Sequence, residues 1–520
     1  MQFLRLKDPL LAVLFEDDDI IAIDKPYGYN AHTNDSKVGN SDFVQDGLIE
    51  IYEKNRGQKL HIIHRLDQTT TGVMIFGKST QSAKKYAEYF FNREVEKNYL
   101  FVTKNKSIQS KFLITDPIVH KAKELEAETE FELIKKSMLY ELWKANPHTG
   151  RNHQIRLHAR AANLQILGDT KYDGAQFPFL CLHNHQIKFP NGILIVSKNP
   201  VYFEDLSLLE DVTLVRSLFE IDRRDRLFSL SKISQESLRL VHSKQEPGTT
   251  GYQLDQIGNN LVLQWNQENV SKTDLDRFNF LSNYLKKPIV VRFSERNQFQ
   301  LPENFKTLRW ETKEKNICYE ARVDTGTSVG LYTDQRLQRH WVLENAKGKS
   351  VLNLFAHTGS YSINAAIGQA TQITSVENNK NALAWGKRNF ELNSLNSENY
   401  IFLARDSLTY LAHCQSKNFK FDLVLCNAPS FLRREKNNFK IETGIEELLA
   451  SCLSCLNPQG KLLFMTHFEG FYIENIVTAI RNVQKIHTHL KIEIECILAS
   501  LDFELPQEKT ILKSFLITTK

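Results

Sequence analysis

Apolar and polar residues alternate between two rhythms along this chain. Near the start, FEDDDIIAIDKPYG (15–28) is a short apolar run closed by Pro26 and Gly28, which predicts a strand and a turn. GVMIFGKS (72–79) predicts a second strand. QSAKKYAEYFFNREVEKNY (81–99) carries helical spacing over its first two-thirds, and YLFVTK from Tyr99 predicts another strand. RNHQIRLHARAA (151–162) predicts a helix freed by Gly150, with His153, Arg156 and Arg160 on one face and Ile155, Ala159 and Ala162 on another. After residue 348 the grammar changes to VLNLF, ITSVE, YIFLARD, FDLVLCNAP and GKLLFMTH, separated by helical stretches. Strand and helix in alternation mark a parallel, doubly wound sheet.

The pattern divides 520 residues into three parts, as a chain too long for one core requires. Residues 1–205 are expected to form an α+β domain. Residues 206–324 are expected to be a connector, charged and helix-compatible at first and strand-rich from about 246. Residues 325–520 are expected to form an α/β Rossmann-like domain with its boundary near 325.

Composition is that of a globular protein, 41% hydrophobic and 24% charged, and the net charge of +5 leans only weakly toward a polyanionic partner. Distribution says more: WKANPHTGRNHQIRLHAR (143–160) holds four Arg or Lys, three His and no acid. Seven scattered cysteines suit a reducing cytosol, and the single pair Cys452/Cys455 suggests a buried helix face before it suggests zinc. No metal, signal peptide or membrane span is expected, the location is expected to be cytoplasmic, and no obligatory protein partner is implied.

Candidate chemistry gathers in HIIHRLDQTTTG (61–72), where Asp67 follows His64 and Arg65. A carboxylate held by a guanidinium such as Arg156 stays ionised, and bidentate pairing would aim it as nucleophile or base. An ordinary structural ion pair is the alternative. HRLDQTTTG resembles the HRLD-x-x-T-[ST]-G signature of RluA-type pseudouridine synthases. The DKPYG turn, EKNY (96–99), GRNHQIRLH (150–158), LGDTKYDG (167–174) and CLHNHQIKFP (181–190) are similar to that family's further motifs, in the same order. The resemblance implies a cofactor-free uridine isomerase acting on RNA, ribosomal RNA favoured and transfer RNA possible. Asp67 would be the nucleophile, Tyr99 would stack on the base or take a proton, and Arg156 would hold Asp67. The base must leave its stack, with Arg65 filling the gap. His64 either packs or contacts RNA. Arg151, His153 and Gln154 position phosphate or the loop, and the threonines 69–71 cap backbone. No separate RNA-binding domain is expected ahead of the first strand.

The second region, VLNLFAHTGSYSINAAIGQA (351–370), is a strand, a turn and a helix without G-x-G-x-x-G. Glu377 ends the next strand, where a carboxylate suits ribose hydroxyls. Asp406 ends the third, suited to an adenine amine, and Asn427 with Pro429 ends the fourth. These strand ends, with GLYTDQRLQR (330–339) and LFAHTGSYS, resemble class I methyltransferases using S-adenosylmethionine (AdoMet), specifically the large-subunit rRNA methyltransferases of the RlmI/RlmK type. The resemblance implies that AdoMet contacts Phe355, Ala356, Thr358, Gly359, Ser360, Glu377, Asp406, Asn427 and Pro429. EPGTTGYQLDQIGNNLVLQ (246–264) is faintly similar to the region upstream of that domain. One departure stands out: Asn427-Ala428-Pro429 replaces the family's D-P-P. The amide keeps the geometry, or the corner is that of an amine methylase, or the domain is an RNA-holding remnant. MTHFEGF (465–471) lacks the cysteine that cytosine C5 methylation needs and resembles the guanine N7 pattern, where positioning alone suffices.

Overall fold

The computed structural model describes residues 2–33, 46–104, 109–120, 123–242, 251–293, 298–300, 302, 308–324, 328–434, 438–487, 491–503 and 512–520. Two compact units divide the chain: Pro9–Ile233 with Leu240–Gly251, and Met1–Asp8 with Ser234–Arg239 and Tyr252–Lys520. The domain boundary expected near 325 falls at 325–327, and the upstream resemblance begins at 246–250; both lie outside the described residues.

The first unit is built on a mixed ten-stranded sheet. The apolar runs near the start become the central strands Ile20–Lys25 and Thr71–Gly77, both buried throughout. Thr71–Gly77 lies parallel to Leu182–Lys188, which pairs antiparallel with Glu96–Lys104, then Tyr140–Pro147 and Thr129–Lys136 follow. The strand expected from Tyr99 begins three residues earlier at Glu96, because Lys97 and Asn98 extend the ladder with Leu182–Lys188.

The helix expected over 151–162 spans Gln154–Ala161. It starts late because Gln154 Oε1 accepts from Thr149 Oγ1 (2.7 Å) and the Arg151 amide (2.9 Å), closing the preceding loop, and His153 takes a left-handed φ of 54°. His153 therefore precedes the helix rather than sharing its face with Arg156 and Arg160. Ile155 and Ala159 pack against Phe101, Phe131 and Trp143, as the apolar spacing predicts.

The charged stretch after 206, expected to be a helix-compatible connector, packs within the first unit. It forms the helix Val212–Phe228, whose buried Leu214, Val215, Leu218, Phe219 and Ile221 recur at helical spacing. Phe219 stacks on Phe179 at 4.0 Å, and Arg226 reaches buried Asp24 at 2.7 Å.

In the second unit, five parallel strands lie in the order Ile401–Ala404, Gln372–Glu377, Ser350–Leu354, Phe421–Ala428, Leu456–Thr466. The helices Ser360–Ile367, Lys380–Leu392, Ser407–Lys417 and Ile441–Ser454 alternate with them. Strand order reverses beside Ser350–Leu354, which puts a crevice at the carboxyl ends of these strands. Lys513–Thr519 adds antiparallel to Leu456–Thr466, Ile492–Ile497 follows, and Gln2–Leu4 closes the edge in parallel. The sequence reading placed residues 1–8 with the first domain; their backbone partners lie about 490 positions away. Strands Tyr252–Ile257, Asn260–Trp265, Ile289–Phe293 and Gln298–Gln300 pair in that order within a smaller five-stranded sheet, the strand-rich piece expected after 246.

Cys452 and Cys455 are free thiols in the apolar core with Leu448, Leu449 and Leu453. Among the described residues no group of His, Cys, Asp and Glu could hold a metal ion, and no helix is long and apolar enough to cross a membrane.

Candidate active sites

Asp67 sits in the loop entering strand Thr71–Gly77, with its side chain 26% exposed. Arg156 Nη1 donates to Asp67 Oδ2 at 3.1 Å. The two residues the sequence reading paired do meet, across 89 positions. The pairing is not bidentate, however. Arg156 gives its two-pronged contact to buried Asp169, Nε to Oδ2 at 2.7 Å and Nη2 to Oδ1 at 2.6 Å. Burial works against the guanidinium's charge, but the bonds to Asp169 and then Asp67 outweigh it and hold Arg156 above its ordinary value. Asp169 thus fixes the guanidinium, and the guanidinium's free edge aims Asp67.

Further groups complete the cradle. Buried Lys25 donates to the carbonyls of Pro26 (3.1 Å), Gln68 (2.9 Å) and Thr70 (2.8 Å), pinning the loop that carries Asp67. Burial pulls its amine down to about 7 against the opposing pull of Asp67. His153 Nε2 is 3.7 Å from Asp67 Oδ2, and its Nδ1 meets Tyr172 Oη at 2.6 Å. The Tyr172 ring lies 4.9 Å from the Arg156 guanidinium. Tyr99 is half-buried on strand Glu96–Lys104, its phenol pushed up by burial and then by the Asp67 carboxylate. These groups open on a cleft of about 860 Å³ that Arg65, Asp67, Tyr99, Arg151, His153 and Arg156 help to line.

The remaining expected residues divide. Arg65 is exposed at the cleft, and Arg151 Nε is engaged by the Glu126 carbonyl at 2.9 Å. Gln154 is spent on the loop: besides its two accepted bonds, Nε2 donates to the Glu128 carbonyl and Thr129 Oγ1 at 2.9 and 3.0 Å. His64 Nε2 accepts the Ile75 amide at 3.1 Å and its ring stacks on Phe90 at 4.9 Å, so it serves as wall. Burial drives its pKa down to about 3, leaving it neutral. Lys25 and Asp169 were not singled out from sequence. Both lie within quoted motifs, and a lysine or acid inside an apolar strand or tight turn was the available signal.

In the second unit, the turn after strand Ser350–Leu354 holds Phe355, His357 and Gly359 at φ 53°, 48° and 73°. Buried Ala356 and Thr358 are tied down, the Ala356 amide to the Val376 carbonyl at 3.0 Å and Thr358 Oγ1 to the Gly330 carbonyl at 2.6 Å. The Phe355 amide donates to Ser407 Oγ at 3.0 Å, and Ser360 opens the next helix. Glu377 accepts the His357 amide on Oε2 (2.9 Å) and the Asn379 amide on Oε1 (2.8 Å), which leaves a lone pair on each oxygen. Asp406 Oδ1 caps helix Ser407–Lys417 through the Thr409 amide and takes Arg434 at 3.0 Å. Its Oδ2 is buried with no partner among the described residues. An orphaned acceptor beside a ribose-suited carboxylate fits a nucleoside whose base offers an amine. Asn427 Oδ1 accepts Gln335 Nε2 at 3.1 Å, with Pro429 just beyond.

Two family models match the chain. Residues 19–161 match RNA pseudouridylate synthase, and residues 300–477 match S-adenosylmethionine-dependent methyltransferase. The chain joins a pseudouridylate synthase-like domain to a domain with the fold of AdoMet-dependent methyltransferases. Similar curated proteins include a ribosomal RNA large subunit methyltransferase K/L of Pseudoalteromonas translucida, 38% identical over 150 residues, 28% of this chain and 21% of that protein. The protein of the same name from Shewanella oneidensis is 33% identical over 192 residues, 36% of this chain and 26% of that one. The chain thus spans about a quarter of these relatives' length. The solved structure of SMU.776 complexed with SAH shares the fold with TM-score 0.54 and 22% identity, over 65% of this chain and 88% of that one. AdoMet, which would supply a methyl group, would be held where the acceptor oxygens of Glu377 and Asp406 lie beside the Phe355–Ser360 turn.

Proposed function

We propose that the protein modifies RNA at two sites, isomerising uridine to pseudouridine in the first domain and methylating a base with AdoMet in the second. The observation that carries the reading is the ion-paired Asp67, aimed into an open cleft by an arginine that Asp169 immobilises. Asp67 attacks the everted nucleotide as nucleophile, on the ribose or on the pyrimidine ring. The bond from ribose C1′ to uracil N1 breaks, the ring turns, and a bond to C5 forms; the C5 proton is lost and N1 gains one. Tyr99 lines the base position, and Arg65 enters the gap the base leaves. No cofactor takes part.

In the second domain guanine N7 is the favoured acceptor. Its lone pair is available without a base. Cytosine C5 would need a thiolate, and Cys426, the cysteine beside the Asn427 corner, is fully buried in its strand. Ribosomal RNA is the favoured substrate, transfer RNA the alternative, and the cytoplasm the site of action. The replacement of D-P-P by Asn427-Ala428-Pro429 supports a second reading, in which this domain only grips RNA and the protein is a single-activity synthase.

Nucleoside mass mapping of ribosomal and transfer RNA from a strain lacking the gene tests both. One pseudouridine and one 7-methylguanosine should disappear and return with the wild-type gene, the former not with Asp67→Ala. Loss of pseudouridine alone supports the single-activity reading, and loss of neither overturns the proposal.

A further inference from the structure

The segment Gly330–Arg339 meets residues at the ends of three strands of the methyltransferase crevice. Thr358 Oγ1 holds the Gly330 carbonyl, Gln335 holds Asn427, and Asp334 meets the residue that follows strand Leu456–Thr466. That residue is His467. Its Nε2 is 2.5 Å from Asp334 Oδ2. Its side chain remains 38% exposed, while that of Asp334 is 16% exposed.

His467 stands at the Asn427 end of the crevice. Ala428 pairs with Thr466, so His467 is one residue past the rung beside the Asn427 corner. The Tyr332 ring lies 5.6 Å from the His467 ring and 5.4 Å from that of His357. The His357 amide in turn rests on Glu377. A row of groups therefore runs from the ribose-suited carboxylate to His467, with an aromatic face, Tyr332, 40% exposed along it. Exposed rings in such a row suit a stacked base.

We propose that His467, held as an imidazolium by Asp334, donates from Nδ1 to the O6 carbonyl of the guanine presented for methylation, and so selects guanine over adenine. The inference rests on the guanine N7 reading above and adds the residue that would read the base. An imidazolium has two N–H donors and no acceptor. One is spent on Asp334; Nδ1 meets no hydrogen-bond partner among the described residues. The major-groove edge of guanine offers N7 and O6, both acceptors, whereas adenine places its amine where O6 would be. A donor on O6 leaves the N7 lone pair free to form the new N–C bond, as the sulfonium S–C bond breaks and its electron pair returns to sulfur. The same donor facing an adenine amine would leave two donors opposed. The Asp334 carboxylate balances the cation against the charge that N7 acquires.

The charge state agrees with this geometry. Burial works against the His467 cation, but Asp334 outweighs it and holds the imidazole above its ordinary value, with Lys513 opposing. Burial likewise raises the Asp334 carboxyl, and His467, Arg239 and Arg339 bring it below its ordinary value.

The experiment uses the full-length protein and RNA from the deletion strain, with 7-methylguanosine read by mass spectrometry. His467→Phe keeps the ring's bulk and loses the donor; guanine methylation should fall roughly 100-fold, the scale of one lost donor to a reacting group. His467→Gln, which keeps a donor, should recover part of it. The AdoMet-induced rise in Tm should be unchanged in both, which separates the loss from misfolding. The wild-type single-turnover rate should fall as pH rises through the histidine's titration, because the donor form is lost, and His467→Gln should lack that limb. With adenine placed at the mapped position, His467→Phe should narrow the preference for guanine. A wild-type rate that instead rises with pH over that range makes His467 a proton acceptor and overturns the proposal, as does full guanine methylation by His467→Phe. Absence of 7-methylguanosine with the wild type overturns the guanine N7 reading itself, and this inference with it.

Discussion

Asp67, Arg156 and Asp169 act as one unit at the scale of single residues. Asp169→Asn keeps the shape of the turn but removes the charge that locks Arg156. Pseudouridine formation should drop by about 100-fold in kcat with KM little changed, because Asp169 does not line the cleft while Asp67, the proposed nucleophile, loses its aim. A rise in KM alone would place Asp169 in substrate binding instead. Asp67→Ala should abolish turnover with RNA binding intact, as measured by filter retention. His64 offers a pH-dependent counterpart. In the fold its pKa is about 3, whereas free imidazole titrates near 6.5, so the unfolded chain binds the proton that the folded one refuses. Stability from this group is whole above about pH 6.5 and is lost as pH falls toward 3. Protonation also removes the acceptor from the Ile75 amide, so hydrogen-exchange protection at Ile75 should collapse on acidification before that of the neighbouring strand. Legibility in sequence followed motif density here. Asp67 and Arg156 were found because each sits in an unusual polar run. The bidentate partner was missed because which acid faces which prong of a guanidinium depends on three-dimensional geometry that spacing does not carry.

Local elements were legible where one periodicity ran unbroken: Thr71–Gly77, Gln154–Ala161 and the alternating strands and helices after 348 lie close to where the pattern puts them. The apolar spacing within Val212–Phe228 was also present, but its charged face dominated the reading and suggested a linker. The strand Gln2–Leu4 was invisible, since three residues carry no period and their partner, Ile492–Ile497, is remote in sequence. Its attachment has an energetic consequence. Beyond the ladder, buried Arg336 binds Asp502 Oδ1 and Asp8 Oδ2, each at 2.9 Å. Asp8→Ala removes one of two carboxylates from a guanidinium that cannot shed its charge, which should cost about 3–5 kcal/mol. The methyltransferase domain should melt earlier while pseudouridine formation persists. Equal losses in both domains would mean that the N-terminal strand supports more than the sheet it joins.

At the scale of the whole molecule, two sheets with separate cores predict two melting events rather than one. AdoMet should act on one of them. A ligand at 100 times its Kd stabilises the form that binds it by about 2.7 kcal/mol, so the methyltransferase transition should move up by several degrees and the synthase transition should stay in place. Glu377→Ala should shrink the shift by removing the ribose-suited carboxylate and freeing the His357 amide. Asp406→Asn should shrink it less, because an amide oxygen still accepts a hydrogen bond at the orphaned position. Calorimetry on the wild type and both variants, with and without AdoMet, distinguishes the possibilities. A shift confined to one transition and graded across the variants places the cofactor on Glu377 and Asp406. An unmoved pair of transitions in the wild type would mean that the altered Asn427-Ala428-Pro429 corner has cost the domain its cofactor, and would leave RNA grip as its contribution to a synthase whose chemistry is complete in the other sheet.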